Sequence, residues 1–261
     1  MSQASDMSEH FANLAKHYRQ VRTTDEAPIL YIRDQLAGCG PLRGADVGCG
    51  DGRYDLLLFH HLPDLHLTCV DGSGQMLAQL SAYLEDHGIH DFDTVNASDE
   101  EMDLGEGTLD FICTFNAIHH FDLATFLAKA ARALKVGGRL FIYTRTPEQN
   151  AASIWGRFFP GFTEMEDRLL ELSQMESSIT ASTKLRLSAT ETFRYQRRSS
   201  LERLVEQVRN MHYSTFSLYR ESDLAHAIPE FVGSVGRQFD DPASVAWADE
   251  NLMLEVARTE G

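Results

Sequence analysis

Several things are scarce in this chain, and each scarcity excludes a class of protein. Cysteine occurs only at Cys39, Cys49, Cys69 and Cys113 of 261 residues, and no two stand in a Cys-x-x-Cys pair. The sequence therefore holds neither a zinc knuckle nor a dithiol redox motif. Three of the four lie in or beside apolar runs, where a reduced thiol behaves as a small hydrophobe. Basic residues are outnumbered: 23 Lys and Arg against 39 Asp and Glu leave a formal net charge of −16. Nucleic-acid backbones are held chiefly by Lys and Arg, so this balance disfavours nucleic acid as a partner. It reads instead as solubility. No apolar run approaches the length of a membrane span, so no membrane association is expected. Residues 1–10 are polar and lack the apolar core of a secretory signal, so the cytoplasm is the expected compartment. The histidines show no HxxxH or carboxylate spacing, so no metal is expected.

What is present is an ordinary globular composition, 43% hydrophobic and 24% charged. The length suits one domain, with or without a small lid. From residue 29 to residue 145, short apolar runs alternate with longer amphipathic ones. Strands are expected at 42–47, 65–70, 92–96, 109–115 and 139–143. Helices are expected at 29–36, 54–62, 75–84 and 123–134, the last closed by Gly137-Gly138. Steady strand–helix alternation implies parallel pairing with helical crossovers, an α/β doubly wound sheet. Phe111-Ile112-Cys113 and Leu140-Phe141-Ile142 are continuously apolar, as strands covered on both faces should be. After Pro147 the rhythm breaks. Aromatic residues crowd 151–162, and helices are expected at 167–174, 201–208 and 224–235. Strands are expected near 187–198 and 245–258. The reading is one domain over 1–261, with a core over 1–145 and lid or substrate segments over 146–186 and 199–240.

The densest signal is Asp46-Val47-Gly48-Cys49-Gly50-Asp51-Gly52, placed between an expected strand and an expected helix. Glycine at 48 and 50 permits a tight turn and close approach by a ligand. The free N–H groups at a helix start attract polar or anionic groups. A dinucleotide site would place a third glycine where Arg53 stands, and a pyrophosphate would not favour Asp46 and Asp51 beside it. An amino-acid ligand with a cationic amine tolerates Asp46, so the turn suits a zwitterionic nucleoside better than a nicotinamide cofactor. Asp71 ends the next expected strand, 23 residues after Gly48. That is where an acid binds the two hydroxyls of a ribose.

These residues resemble the class I S-adenosylmethionine-dependent methyltransferase family, in particular its small-molecule branch related to the ubiquinone/menaquinone and trans-aconitate methyltransferases. The resemblance rests on Asp46 to Gly52, on Val70-Asp71-Gly72-Ser73 and on Asn96-Ala97-Ser98. It continues in Leu109-Asp110-Phe111-Ile112 running into Asn116-Ala117-Ile118-His119-His120, and in Leu134-Lys135-Val136-Gly137-Gly138-Arg139-Leu140. It covers roughly the first 145 residues. It implies a Rossmann-like seven-stranded sheet with the last strand antiparallel, and S-adenosyl-L-methionine as cofactor. It implies that Asp46, Gly48, Cys49 and Gly50 approach the methionine end, and that Asp71, with Gly72 and Ser73, holds the ribose. Met76, Ala97 and Ser98 would border the adenine, and Asn116 and His119 would lie beside the cofactor. Tyr18 and Arg22 match a Tyr/Arg pair that precedes the core in relatives and closes over the methionine carboxylate.

The implied reaction is methyl transfer to O, N or C of a small organic acceptor. It asks mainly for alignment and exclusion of water. His119, or His120 beside it, follows the fourth strand at the carboxyl edge of the sheet and is the candidate base. Arg145 is placed to bind a carboxylate of the acceptor. Trp155 and Phe158, with His212 and Tyr213, are candidate acceptor contacts in an apolar lid. A cofactor-binding protein without catalysis remains an alternative, as do methylation of a protein or RNA and a nicotinamide-dependent oxidoreductase. The sequence is silent on oligomeric state.

Overall fold

The computed structural model describes residues 24–260. Tyr18 and Arg22 lie outside the described residues. Among those residues seven strands form one sheet: β1 (Leu42–Val47), β2 (Leu65–Asp71), β3 (Phe92–Asn96), β4 (Leu109–Phe115), β5 (Leu134–Thr144), β6 (Leu185–Ser199) and β7 (Val245–Arg258). Their spatial order is β3-β2-β1-β4-β5-β7-β6. β1 pairs in parallel with β2 and β4, β2 with β3, and β4 with β5, while β7 runs antiparallel to β5. The expected seven-stranded α/β sheet with an antiparallel last strand is therefore the one found.

The connections follow from local signals. Helix α1 (Ala27–Gln35) has Pro28 in its first turn, where the missing N–H costs nothing. Helix α2 (Arg53–His61) starts at left-handed Gly52. Helix α3 (Gly74–Asp86) is capped by Ser73, whose Oγ accepts from Met76 N at 3.3 Å. Helix α4 (Leu123–Ala133) is capped by Asp122, whose Oδ1 accepts from Thr125 N at 2.8 Å. These side chains satisfy helix-start N–H groups that have no intrahelical partner.

The chain divides into two compact units. The larger takes Thr24–Thr144, Glu171–Phe193 and the residues from Leu252 onward. Its core joins Leu58, Leu67, Leu80, Phe111, Phe141 and Met253. Tyr31 Oη donates to the buried carboxylate of Glu255 on β7 at 2.7 Å, and Arg139 on β5 pairs with the same carboxylate. The smaller unit includes Arg145–Leu170 and Arg194–Asn251. It has its own core of Trp155, Phe159, Phe162, Phe216 and Phe231, with the Trp155 and Phe231 rings stacked at 5.3 Å. Residues 171–186, grouped by sequence with the lid segments, fall in the larger unit.

Two expectations need correction. Gly137-Gly138 do not end α4. That helix stops at Ala133, because Leu134 is already extended, and the two glycines sit inside β5 with Gly137 at φ +82°. The helix expected at 167–174 spans Leu172–Ala181 instead, and 167–170 are not helical.

One glycine the sequence did not single out is fixed by packing. A Cβ on Gly44 of β1 would stand 2.3 Å from the Phe111 ring of β4. Phe111 is wholly buried and has no room to retreat. Gly44→Ala should therefore cost about 1–3 kcal/mol through overpacking. The check is a urea unfolding curve with an unchanged slope and a lower midpoint. An unchanged midpoint would show that the β1–β4 contact is looser than drawn.

Candidate functional site

The chain builds β1, β2 and β3 outward and then returns to lay β4 against the other side of β1. The loops leaving β1 and β4 diverge there, and open α/β sheets bind ligands at such a reversal, beyond the carboxyl ends of the strands. The glycine turn leaves β1, and the Asn116–Phe121 turn leaves β4. A Cβ on Gly48 would lie 2.5 Å from the Ala117 Cβ, and Gly48 is left-handed at φ +77°. Only glycine lets the two loops pack so closely. Gly48 N and Cys49 N donate to Val70 O at 2.8 and 3.1 Å, which binds the turn to the end of β2.

Asp71 stands at that end. Its Oδ2 accepts from Gly50 N at 2.9 Å and its Oδ1 from Ser73 N at 2.8 Å. Its carbonyl accepts from Asn96 Nδ2 at 3.0 Å and from Ala97 N at 3.2 Å. The carboxylate is thus locked in orientation by one turn and carries further lone pairs for other donors. Gly50 is left-handed at φ +59°, and a Cβ there would meet no atom of the described residues within 4 Å. So Gly50 and Asp71, chosen separately from the sequence, are brought into direct contact.

The other expected residues of this site fall around the same sheet edge. Gly72 is exposed, and a Cβ there would meet nothing within 4 Å. Met76 is half-buried in the first turn of α3. Ala97 and Ser98 follow β3 and are half-buried, and Ser98 Oγ accepts from Glu101 N at 3.2 Å. Asn116 is left-handed at φ +54°, with its N–H on Tyr143 O at 2.7 Å. His119 is half-buried in the short helix Ile118–His120, its ring 4.1 Å from that of His120.

Behind the turn, Asp46, Asp51 and Asp55 are 1%, 3% and 0% exposed. Burial, then the charges of Asp55 and Asp71, push the Asp46 carboxyl well above the ordinary range. Its Oδ1 accepts no hydrogen bond among the described residues. Cys49, Cys69 and Cys113 are buried beside these acids. Hydrogen bonding with Cys49 and burial push the Cys69 thiol up, and burial does the same to Cys113. Neither is a thiolate nucleophile. Asp55 is the residue that sequence reasoning missed. It sits on a helix where an acid reads as a solvated surface group.

The residues expected to contact an acceptor lie in the smaller unit. Arg145 Nη2 donates to Tyr213 Oη at 3.2 Å and Asn251 Oδ1 at 3.4 Å, with the guanidinium 5.1 Å from the centre of the Tyr213 ring. Buried His212 meets the edge of Tyr213 at 4.6 Å. Trp155 is 3% exposed, enclosed by the rings of Phe159, Phe162, Tyr213, Phe216 and Phe231. Phe158 is half-buried, its ring 5.8 Å from Phe239. Among the described residues no group of three or more His, Cys, Asp or Glu is arranged to hold a metal ion, and no helix is long and apolar enough to cross a membrane.

Residues 45–140 match the family model described as a methyltransferase domain. A curated relative, the carboxy-S-adenosyl-L-methionine synthase of Dichelobacter nodosus, is 28% identical over 141 residues, which is 51% of this chain and 59% of that protein. The chain thus spans about three fifths of the length of that relative. Among solved structures, a protein of Anabaena variabilis described as a methyltransferase from an antibiotic biosynthesis pathway superposes with a TM-score of 0.68 at 19% identity, covering 90% of this chain and 99% of that one. The geranyl diphosphate C-methyltransferase of Streptomyces coelicolor, solved with Mg2+, geranyl diphosphate and S-adenosyl-L-homocysteine, gives 0.57 at 15% identity, covering 89% and 79%. The fold, the turn at the reversal point and the family match converge: residues 45–140 match a methyltransferase domain, and the chain shares the fold of these solved structures.

Proposed function

We propose that this chain transfers a methyl group from S-adenosyl-L-methionine to O, N or C of a small organic acceptor in the cytoplasm. One observation carries the reading: Asp71 is locked to Gly50 at the strand-order reversal, in a turn whose Gly50 has no described residue within 4 Å of where a Cβ would stand. The residues fit the cofactor. Gly50 leaves room for a ligand to reach the backbone, Asp71 keeps lone pairs for two ribose hydroxyls, and buried Asp46 suits a ligand with a cationic amine. Met76, Ala97 and Ser98 border the adenine side. Gly48, Cys49 and Asn116 shape the methionine side. Tyr18 and Arg22 are assigned to the methionine carboxylate on sequence alone.

The cofactor supplies an activated methyl on a sulfonium. The chain's residues then bind, orient and dry the reacting pair, and alignment of that kind is worth on the order of 7–11 kcal/mol. Where the acceptor attacks through a hydroxyl or an acidic carbon, His119 takes its proton, a contribution of roughly 10² to 10⁴-fold. Arg145, oriented by Tyr213 and Asn251, receives an acceptor carboxylate. His212, Tyr213 and Phe158 contact the body of the acceptor, and Trp155 backs Tyr213 from the core.

Three outcomes test this. Asp71→Ala should weaken binding of S-adenosylhomocysteine by about 100-fold, since two hydrogen bonds to a charged group are lost. Calorimetry showing wild-type affinity would remove the cofactor assignment. Gly50→Ala should cost about 1 kcal/mol of stability for its left-handed backbone, and a larger loss of cofactor affinity. Equal losses would mean that no ligand approaches that face. In an acceptor screen with labelled cofactor read by mass spectrometry, carboxylated acceptors should be preferred. Arg145→Gln should abolish that preference while cofactor affinity stays constant. A preference for neutral acceptors would assign Arg145 to structure alone.

A further inference from the structure

Asp55 calls for an account of its own. It stands in the first turn of α2 and is wholly buried. Its Oδ1 accepts from Cys69 Sγ at 3.3 Å, and its Oδ2 has no hydrogen-bond partner among the described residues. Cys69 on β2 is the register partner of Asp46 on β1, and Asp46 is also in register with Cys113 on β4. One thiol therefore lies beside both carboxyls. Among the described residues, the titratable groups that face the pair are Cys69 and Asp71 from β2, Cys113 from β4, and Cys49 and Asp51 from the turn. Among the described residues these groups are acids or thiols, and none of them carries a positive charge.

Two carboxylates so placed do not both ionise without a counter-ion, because burial and like charge each favour the neutral form. We propose that Asp46 and Asp55 form a proton-linked pair: in the ligand-free protein at least one of the two is protonated, and a ligand that brings an ammonium group into the glycine turn displaces that proton to solvent. The inference rests on the reading of the turn as the seat of an amino-acid tail, and it adds a role for Asp55 as a positioning residue acting through Asp46 and Cys69. The acid of the turn would then discriminate ligands by charge. A nucleoside thioether without an amino-acid tail gains nothing from it.

The direction of the pH dependence follows. Burial is the largest cause of the rise at Asp55, which is pushed up to about 7. A carboxyl raised on folding contributes stability that is fully present below its unfolded value of about 3.9 and is lost as pH rises through its folded one. The ligand-free protein should therefore lose stability between about pH 4 and about pH 7 through this group. Affinity for an ammonium-bearing ligand should rise over the same approach to neutrality, by at most about ten-fold per pH unit for one displaced proton.

The experiment is calorimetric titration of the full chain with S-adenosylhomocysteine and with 5′-methylthioadenosine. The second ligand shares the nucleoside and sulfur but lacks the amino acid. Near neutral pH, in two buffers of different protonation enthalpy, the first ligand should release close to one proton and the second none. Asp55→Asn imitates the protonated side chain and should fold. It should still bind S-adenosylhomocysteine, with reduced proton release and a flatter dependence of affinity on pH. Binding of S-adenosylhomocysteine without proton release overturns the pair, and so does equal release with both ligands. Failure of S-adenosylhomocysteine to bind overturns the cofactor reading and this inference with it. A carboxyl NMR titration of the ligand-free protein stands apart from any ligand. A midpoint for Asp55 above about 6 is expected, and one in the ordinary range near 4 overturns the pair.

Discussion

The hydrogen bonds from Gly50 N and Ser73 N to the Asp71 carboxylate organise everything around them. They tie the turn after β1 to the start of α3, and the Asp71 carbonyl ties both to the end of β3 through Asn96 and Ala97. Loops at the edge of a parallel sheet have no ladder of their own to define them. Here one residue, through its carboxylate and its carbonyl, accepts the N–H groups of three loops and so sets their course at once. The glycines follow from this constraint. Gly50 must turn left-handed to aim its N–H at Asp71, and Gly48 must lack a side chain to let Ala117 in.

The same arrangement has an electrostatic consequence. Bringing Asp71 close under the turn puts it within reach of Asp46 and Asp55, both buried and both raised by burial before any neighbour acts. Buried carboxyls without cations are costly, and a chain selected only for stability would fill such positions with apolar groups of similar size. Their retention at the reversal point, rather than anywhere in the β4–β5 half of the sheet, matches the pattern in which strain and unsatisfied charge gather where ligands bind.

The middle of the sheet was legible because its strands are covered on both faces. β4 matches the expected residues to the position, since a continuous apolar run bounded by polar residues leaves little choice; β3, an edge strand with no fully buried residue, also matches to the position. The start of β5 was not legible. Gly137-Gly138 carry a strong helix-stop signal, yet the break falls at Leu134, an apolar residue with no punctuation of its own. The turn and Asp71 could be found because glycine spacing and a strand-ending acid are local signals. Asp55 could not, because its burial is decided by β2 packing over α2, a tertiary fact that overrides the polar reading of an acid on a helix. Gly44 was hidden for the same reason: what forbids a side chain there is Phe111, distant in sequence.

The division into units bears on how such a chain can change its acceptor. Every residue that fastens Asp71, and every carboxyl behind the turn, belongs to the larger unit. Arg145, His212, Tyr213 and Asn251, with the aromatic core beneath them, belong to the smaller. The boundaries between the units fall at the end of β5 and within β6 and β7. Substitutions in the smaller unit can therefore remodel polar and aromatic contacts without disturbing a hydrogen bond of the turn. The family match stops at residue 140, just before that boundary. This is what is expected if the cofactor turn is held fixed by Asp71 while the acceptor side is free to vary, function residing in sites carried by a shared fold rather than in the fold itself.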